Sequence, residues 1–326
     1  MDSLGRRKLY IIGNGFDLAH NLPTRYSDFY NWLNDTHYEM RNNRDCDFFV
    51  RILNQIFEHS SNNVDFWSDV EKALGSLAID KFIKKIVNYN TIKDAEDEFY
   101  NDKDYLGEQV ENDVNYIYKP DGLDNIRAMF QDWVLHIPNY DDVRPYFTAE
   151  DIEKTGLFLT FNYTNTLEKV YGIDFKQILH IHGCVSEKKS NIVVGHETEY
   201  DVDKYKELEE SLLGGNYGVV SLLVEAMNSL KKNTKQIIQK NQEWFDDLKN
   251  QSIDEIHLYG LSFGEIDDEY YKEINRQLPN AKWVFAVYNT KNVSCIQKFV
   301  DRIGVSHENC SGFDQESTFN DEISLF

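Results

Sequence analysis

The apolar positions of this chain fall into short runs separated by stretches with a helical period. Four runs are rich in β-branched or aromatic residues and end in Gly, Asn or Asp, the pattern of strands buried in a parallel sheet. They are Lys8–Gly13 (KLYIIG), Leu157–Asn162 (LFLTFN), Glu255–Gly260 (EIHLYG) and Lys282–Asn289 (KWVFAVYN). Ile178–Gly183 (ILHIHG) and Asn191–Gly195 (NIVVG) read as a fifth and a sixth strand. Helical patterns follow most of them. Tyr26, Phe29, Tyr30 and Leu33 recur at i, i+3, i+4 and i+7 after the Pro23-Thr24 start signal. Asn165-x-x-Glu168 has the spacing of a capping box for a helix through Leu167 and Val170, and Asp267 is placed to cap one through Tyr271, Ile274 and Leu278. Strands alternating with helices predict a doubly wound, Rossmann-like α/β fold with a mostly parallel sheet.

The stretch between the first two strands is too long for one crossover. It reads as a helical insertion over about 40–150, with amphipathic segments at Phe48–Phe57, Phe66–Leu77 and Leu123–Val134. A second insertion, about 201–250, carries helical patterns at Val219–Leu230 and Thr234–Leu248. The sheet core is then expected in about 6–35, 151–200 and 253–305. With 5 Pro and 17 Gly there is no evident flexible linker, and a single domain over 1–326 is expected.

Composition narrows the function classes. Hydrophobic residues are 41% and aromatics 14%, ample for a buried core. Lys+Arg 34 against Asp+Glu 56 gives a net charge of −22, with the acids spread along the chain. That field repels phosphate backbones, and no cationic stripe offsets it, so nucleic acid is not an expected partner. Cys46, Cys184, Cys295 and Cys310 form no C-x-x-C pair, which gives no sign of a zinc knuckle or a disulfide framework. The apolar run Leu9–Ile12 behind Arg6, Arg7 and Lys8 is too short for a signal peptide, and no segment approaches a membrane span. A cytoplasmic protein without a membrane partner is expected.

In an open parallel sheet, ligands bind at the carboxyl ends of the strands. Gly13-Asn14-Gly15-Phe16-Asp17 follows the first strand, where glycines permit positive φ or close backbone approach. Asp17 would repel a pyrophosphate at that helix start, which leaves ribose hydroxyls, loop anchoring or simple capping as its roles. After the second strand, Asn162 can position a water or a sugar hydroxyl, or close an Asx turn. With a strand's period of two, His180 and His182 point to the same face, and His182, directly before Gly183 at a strand end, is expected to be exposed enough to act as a base. His196 follows another strand end. Three histidines are also a metal set, though no short-range ligand spacing supports one and no metal is expected. Gly260-Leu261-Ser262-Phe263-Gly264 leads to the acids Asp267, Asp268 and Glu269, and Asn289 ends the last strand near a base or ribose.

Taken in order, these loops resemble the abortive-infection AbiH family of bacterial anti-phage proteins. The residues that carry the resemblance are Tyr10-Ile11-Ile12-Gly13-Asn14-Gly15-Phe16-Asp17-Leu18, Leu22-Pro23-Thr24-x-Tyr26-x-x-Phe29, and Phe158-Leu159-Thr160-Phe161-Asn162-Tyr163-Thr164-x-Thr166-Leu167-Glu168. His180-Ile181-His182-Gly183 and Tyr259-Gly260-Leu261-Ser262-Phe263-Gly264-x-x-Asp267 continue the match, with Phe66-Trp67-x-Asp69-x-Glu71 in the first insertion. A wider similarity is to the sirtuin-like superfamily, whose members bind NAD and include defence proteins that destroy it. Gly13-Asn14-Gly15, Thr160-x-Asn162-Tyr163, His182-Gly183 and Gly260-x-Ser262 match that pattern in order. Asn14 stands for a small residue and Thr164 for an acid after Tyr163, and the zinc ribbon of deacetylases is missing, which argues against protein deacetylation.

The resemblance implies hydrolysis of the nicotinamide–ribose bond of NAD, with Asn162 and His182 catalytic. Gly13, Asn14, Gly15, Phe16, Asp17, Thr160, Tyr163, Thr164, Gly183, His196, Gly260, Ser262, Phe263, Gly264, Asp267 and Asn289 would line the nucleotide. A phage-derived trigger and a homo-oligomer are the partners it implies. A non-catalytic nucleotide sensor is the rival reading, and a metal-dependent hydrolase using His180, His182 and His196 ranks below it.

Overall fold

Leu9, Tyr10, Ile11 and Ile12 are fully buried, so strand β1 (Arg7–Ile12) presents no face to water. The computed structural model explains this by placing β1 in the middle of a seven-stranded sheet. It describes residues 7–39, 130–137, 140, 143–148, 151–185, 192–213, 221, 224–225, 227–228, 230–288, 292–314 and 322–326. Two compact units make up the chain. The sheet unit is Met1–Thr24, Val134–Val193 and Asn233–Phe326; the second unit is Arg25–Trp133 and Val194–Lys232.

The remaining strands are β2 (Leu157–Thr160), β3 (Ile178–His180), β4 (Ile253–Tyr259), β5 (Lys282–Val287), β6 (Cys310–Asp314) and β7 (Glu322–Ile323), in the order β3-β2-β1-β4-β5-β6-β7. The first six run parallel, and β7 closes the edge antiparallel to β6. The expected doubly wound α/β fold is present. Its strand order reverses between β1 and β4, the topological switch point where such sheets take ligands. The register pairs Ile12 with Thr160 on one side and with Tyr259 on the other, which brings three loops out at one level.

Helices cover both faces. On one, α1 (Asn14–Ala19) and α3 (Thr166–Tyr171) put Phe16, Leu167 and Tyr171 against Tyr10, Ile12, Phe158 and Tyr259. On the other lie α5 (Thr234–Lys240), α6 (Gln242–Asp247), α7 (Asp268–Gln277) and α8 (Asn292–Ile303), packed over Leu9, Ile11, Ile256, Leu258 and Phe285. The helical pattern at Thr234–Leu248 resolves into α5 and α6, broken at Asn241, and their Ile237, Phe245 and Leu248 belong to the sheet core. In α8, Ile296, Phe299, Val300 and Ile303 are buried at i, i+3, i+4 and i+7.

In the second unit, α2 (Tyr26–Glu39) buries Tyr26, Phe29 and Leu33 as its spacing predicts, while Tyr30 is half-buried. Phe29 packs on Phe130 and Trp133, with ring centroids 5.3 and 5.2 Å away. A helix at α4 (Lys206–Leu213) follows later in this unit. The segments expected at Phe48–Phe57 and Phe66–Leu77 lie outside the described residues, as do parts of Leu123–Val134 and Val219–Leu230.

Two strand assignments differ from the sequence pattern. Residues 192–195 carry no strand, and the stretch makes only an isolated bridge between His196 and Lys231. The sixth parallel strand is Cys310–Asp314 instead, a Cys-Ser-Gly-Phe-Asp segment in which only Gly312 is buried and Phe313 is half-buried, so it carries no apolar run. Among the described residues, no helix is long and apolar enough to cross a membrane.

Candidate functional site at the carboxyl edge

The β1 loop and the β4 loop touch backbone to backbone. Gly13 N–H donates to the Tyr259 carbonyl and Gly15 N–H to the Gly260 carbonyl, each at 2.9 Å, while Phe16 N–H returns to Gly13 O at 3.0 Å. Neither Gly13 nor Gly15 has positive φ. Their need for glycine is steric, because a Cβ on Gly13 would lie 2.6 Å from Gly260 O and one on Gly15 2.7 Å from Gly260 Cα. The Gly13 and Gly15 amides thus serve the loop–loop seam, and the Phe16 amide closes the turn within the first loop. Asn14 Nδ2 donates to the Thr24 carbonyl at 2.8 Å.

Asp17 is fully buried, and both of its oxygens are occupied. Thr164 Oγ1 donates to Oδ2 and Thr166 Oγ1 to Oδ1, each at 2.6 Å. Burial pushes this carboxyl up to about 6, against the lowering effect of the two hydroxyls and of Asn162. The carboxylate joins the β1 and β2 loops across 147 residues of sequence. Nothing local in the sequence marks Thr166 as its partner.

Thr160 ends β2, and its Oγ1 accepts from the Asn162 N–H at 3.1 Å, a small turn that aims the Asn162 side chain back at β1. There Asn162 Nδ2 donates to the Gly13 carbonyl at 3.1 Å. Tyr163 OH donates to Val193 O at 2.8 Å. The capping box expected at Asn165-x-x-Glu168 does not form, although α3 starts at that point. Asn165 Oδ1 instead accepts from the Cys184 thiol at 2.7 Å, and Glu168 turns to His180.

β3 ends at His180, and the turn that follows separates the two histidines. The expectation that they share a face fails for that reason. His180 lies with α3, its Nε2 3.0 Å from Glu168 Oε1 and its Nδ1 3.2 Å from the Asn162 carbonyl. His182 lies among rings of the opposite face, with Phe161, Tyr270 and Tyr163 centroids at 5.3, 5.7 and 6.4 Å. Its Nε2 is 3.9 Å from Asp267 Oδ1. The exposure expected for His182 is not found: only 4% of it is accessible, because the aromatic side chains fold over the turn. Gly183 follows with φ 87°.

The β4 loop begins at Gly260, whose φ of 65° places a would-be Cβ 2.2 Å from Phe16 N. Ser262 is exposed. Phe263, at φ 57°, turns its ring into the core against Phe299 and Phe285, centroids 4.9 and 5.8 Å away. Gly264 opens the short 3-10 turn Glu265–Asp267, and Asp267 stands at the N-cap of α7 without a capping side-chain bond. Arg302 of α8 locks the loop: its guanidinium donates to both Asp268 oxygens, at 2.8 and 3.0 Å, and to Phe263 O at 2.9 Å. The sequence pattern did not single out Arg302.

His196 belongs to the second unit. It is fully buried, its Nε2 3.0 Å from Met227 O and its ring edge-on to Tyr200. Burial keeps its pKa below the ordinary histidine value. Asn289 lies outside the described residues.

A mostly parallel sheet of this order, covered by helices on both faces and carrying paired glycine loops at its switch point, belongs to the Rossmann-like class of α/β protein. The chain belongs to the AbiH family: the sequence model described as "Bacteriophage abortive infection AbiH" matches residues 9–287. That span runs from β1 through the last residue of β5 and supports a role in phage abortive infection. No curated protein and no solved structure matches the chain significantly.

Proposed function

We propose that this protein is an abortive-infection effector that hydrolyses the nicotinamide–ribose bond of NAD at the β1/β4 edge. The observation that carries the reading is the pairing of buried His182 with Asp267 beside the Asn162 turn. A base near an orienting carboxylate in a water-poor setting is the arrangement general-base catalysis needs.

In the proposed reaction, water attacks the anomeric carbon as its bond to nicotinamide breaks, through an oxocarbenium-like centre of the kind met in glycoside hydrolysis. Nicotinamide leaves neutral, and ADP-ribose keeps the new hydroxyl. His182 takes the proton of the attacking water, and the Asp267 carboxylate stabilises the resulting imidazolium. Asn162, whose amide nitrogen is held by Gly13 O, presents its oxygen to that water or to a ribose hydroxyl. The amides of Gly13 and Gly15 are consumed in the loop seam and that of Phe16 within its own loop, so the proposed contact of this loop is with ribose rather than phosphate.

Incubating the purified protein with NAD and following free nicotinamide tests the reading, with Asn162→Ala and His182→Ala beside the wild type. We expect release by the wild type and a loss of roughly 10²-fold or more in each variant, the usual weight of a general base. NAD in phage-challenged cells should fall in parallel. Saturable NAD binding with no nicotinamide released in vitro or in challenged cells would instead make the chain a nucleotide sensor.

A further inference from the structure

We propose that Glu168, His180 and Cys184 form a binding site for one zinc-like divalent cation, with Asn165 Oδ1 available as a fourth ligand. The three side chains come from α3, from the end of β3 and from the loop after it. They bring a carboxylate oxygen, an imidazole nitrogen and a sulfur within 4.8 Å of one another. This mixture of oxygen, nitrogen and sulfur donors suits zinc rather than magnesium or calcium, which select oxygen alone.

Four observations point to a cation rather than to a closed hydrogen-bond cluster. First, Glu168 Oε2 is buried with no hydrogen-bond partner among the described residues, although the Oε1 of the same carboxylate meets His180. A buried carboxylate oxygen without a donor is costly, and a metal ion removes that cost. Second, the site is shielded: Cys184 is fully buried, and the His180 and Glu168 side chains are 5% and 16% accessible. Third, His180 has the outer contact that metal-bound imidazoles have, because its Nδ1 lies 3.2 Å from the Asn162 carbonyl while Nε2 faces the cluster. Fourth, Asn165 Oδ1 sits 2.7 Å from Cys184 Sγ, so a fourth donor is already at the cluster.

The site is independent of any reaction with NAD. It would pin the Asn162–Asn165 turn, α3 and the β3 turn together, so its role is to position Asn162.

The test uses the full chain, stripped with a chelator and titrated with Co²⁺ and then Zn²⁺. We expect one ion per chain by elemental analysis and a thiolate-to-cobalt charge-transfer band with the intense visible bands of a four-coordinate site. Zn²⁺ should abolish the cobalt spectrum. Cys184→Ser, which keeps a donor for Asn165, should lose the charge-transfer band, and a variant with Cys46, Cys295 and Cys310 changed to Ser should keep it. A wild-type protein that gives no thiolate band and retains no ion after gel filtration overturns the proposal. So does a band that survives Cys184→Ser. Because cobalt spectra are read without NAD, a failed nicotinamide assay leaves this result unaffected.

Discussion

Replacing Gly260 with alanine tests whether the β1 and β4 loops interlock as the structure has them. Gly260 has φ 65°, a conformation that costs a non-glycine residue about 1–2 kcal/mol. The new Cβ would also lie 2.2 Å from Phe16 N, 2.6 Å from Gly15 C and 2.8 Å from Gly15 Cα, all backbone atoms that no rotamer change can move aside. Relief requires the loops to part, and the nearest casualties are the 2.9 Å bonds from Gly15 N–H to Gly260 O and from Gly13 N–H to Tyr259 O. A buried donor left without an acceptor costs about 1–3 kcal/mol, so with the strain included Gly260→Ala should lose at least about 3 kcal/mol. Gly304→Ala is the control. Its φ is 73°, but nothing lies within 4 Å of its would-be Cβ, so only the strain of about 1–2 kcal/mol applies. Denaturant unfolding at matched slope measures the difference. Equal losses in the two variants would refute the interlock, and with it the steric reading of Gly13 and Gly15.

The buried Asp17 carboxyl gives a pH signature. Its folded pKa of about 6 lies above the ordinary 3.8, so its contribution to stability is fully present below pH 3.8 and is lost as pH rises through 6. At about 1.4 kcal/mol per pH unit, Asp17→Asn should gain on the wild type by about 3 kcal/mol between pH 3 and pH 7, and parallel stability curves would exclude that burial cost. Arg302→Met removes both bonds to Asp268 and the one to Phe263 O. It should cost about 2–3 kcal/mol, with a coupling of about 1–2 kcal/mol to Asp268→Asn in a double-mutant cycle of thermal or denaturant unfolding. Tyr163→Phe removes the hydroxyl bonded to Val193 O and should cost about 1 kcal/mol of stability by the same measurement, the weight of one ordinary hydrogen bond.

The strands at the middle of the sheet were legible because burial on both faces forces an unbroken apolar run. KLYIIG and LFLTFN carry that mark, and their register places Gly13 and Asn162 together. β6 carries no such mark, since Cys-Ser-Gly-Phe-Asp owes its place to what its neighbours leave open: Gly312 admits Leu325 and Val287. The run Asn191–Gly195 failed in the opposite sense, because an apolar stretch of that length serves a packed loop as well as a strand, and Ile192 is buried without a ladder. Which loops carry the candidate site was readable from position alone. The partners of its side chains were not. Asp17 with Thr164 and Thr166, and Cys184 with Asn165, depend on the three-dimensional meeting of loops, and the local motif at Asn165-x-x-Glu168 pointed to a capping pattern that distant partners displaced. The burial of His182 likewise comes from Phe161 and Tyr163 in the loop after β2 and from Tyr270 on α7, none of them near it in sequence.

The central place of β1 sets a timetable for the ribosome. Its two partners begin at Leu157 and Ile253, so β1 waits for about 240 residues of further synthesis before both of its edges are paired. At roughly 5–20 residues per second that interval is on the order of ten to fifty seconds, during which the apolar Leu9–Ile12 lacks at least one of its partner strands. Chain separations this long make the sheet slow to nucleate and leave an apolar strand edge open in the growing chain. They also mean that a translation product ending before Gly260 contains β1 and Asn162 but no seam to hold the first loop in place. Any activity of the carboxyl edge therefore arrives all at once, late in synthesis, rather than growing with the chain.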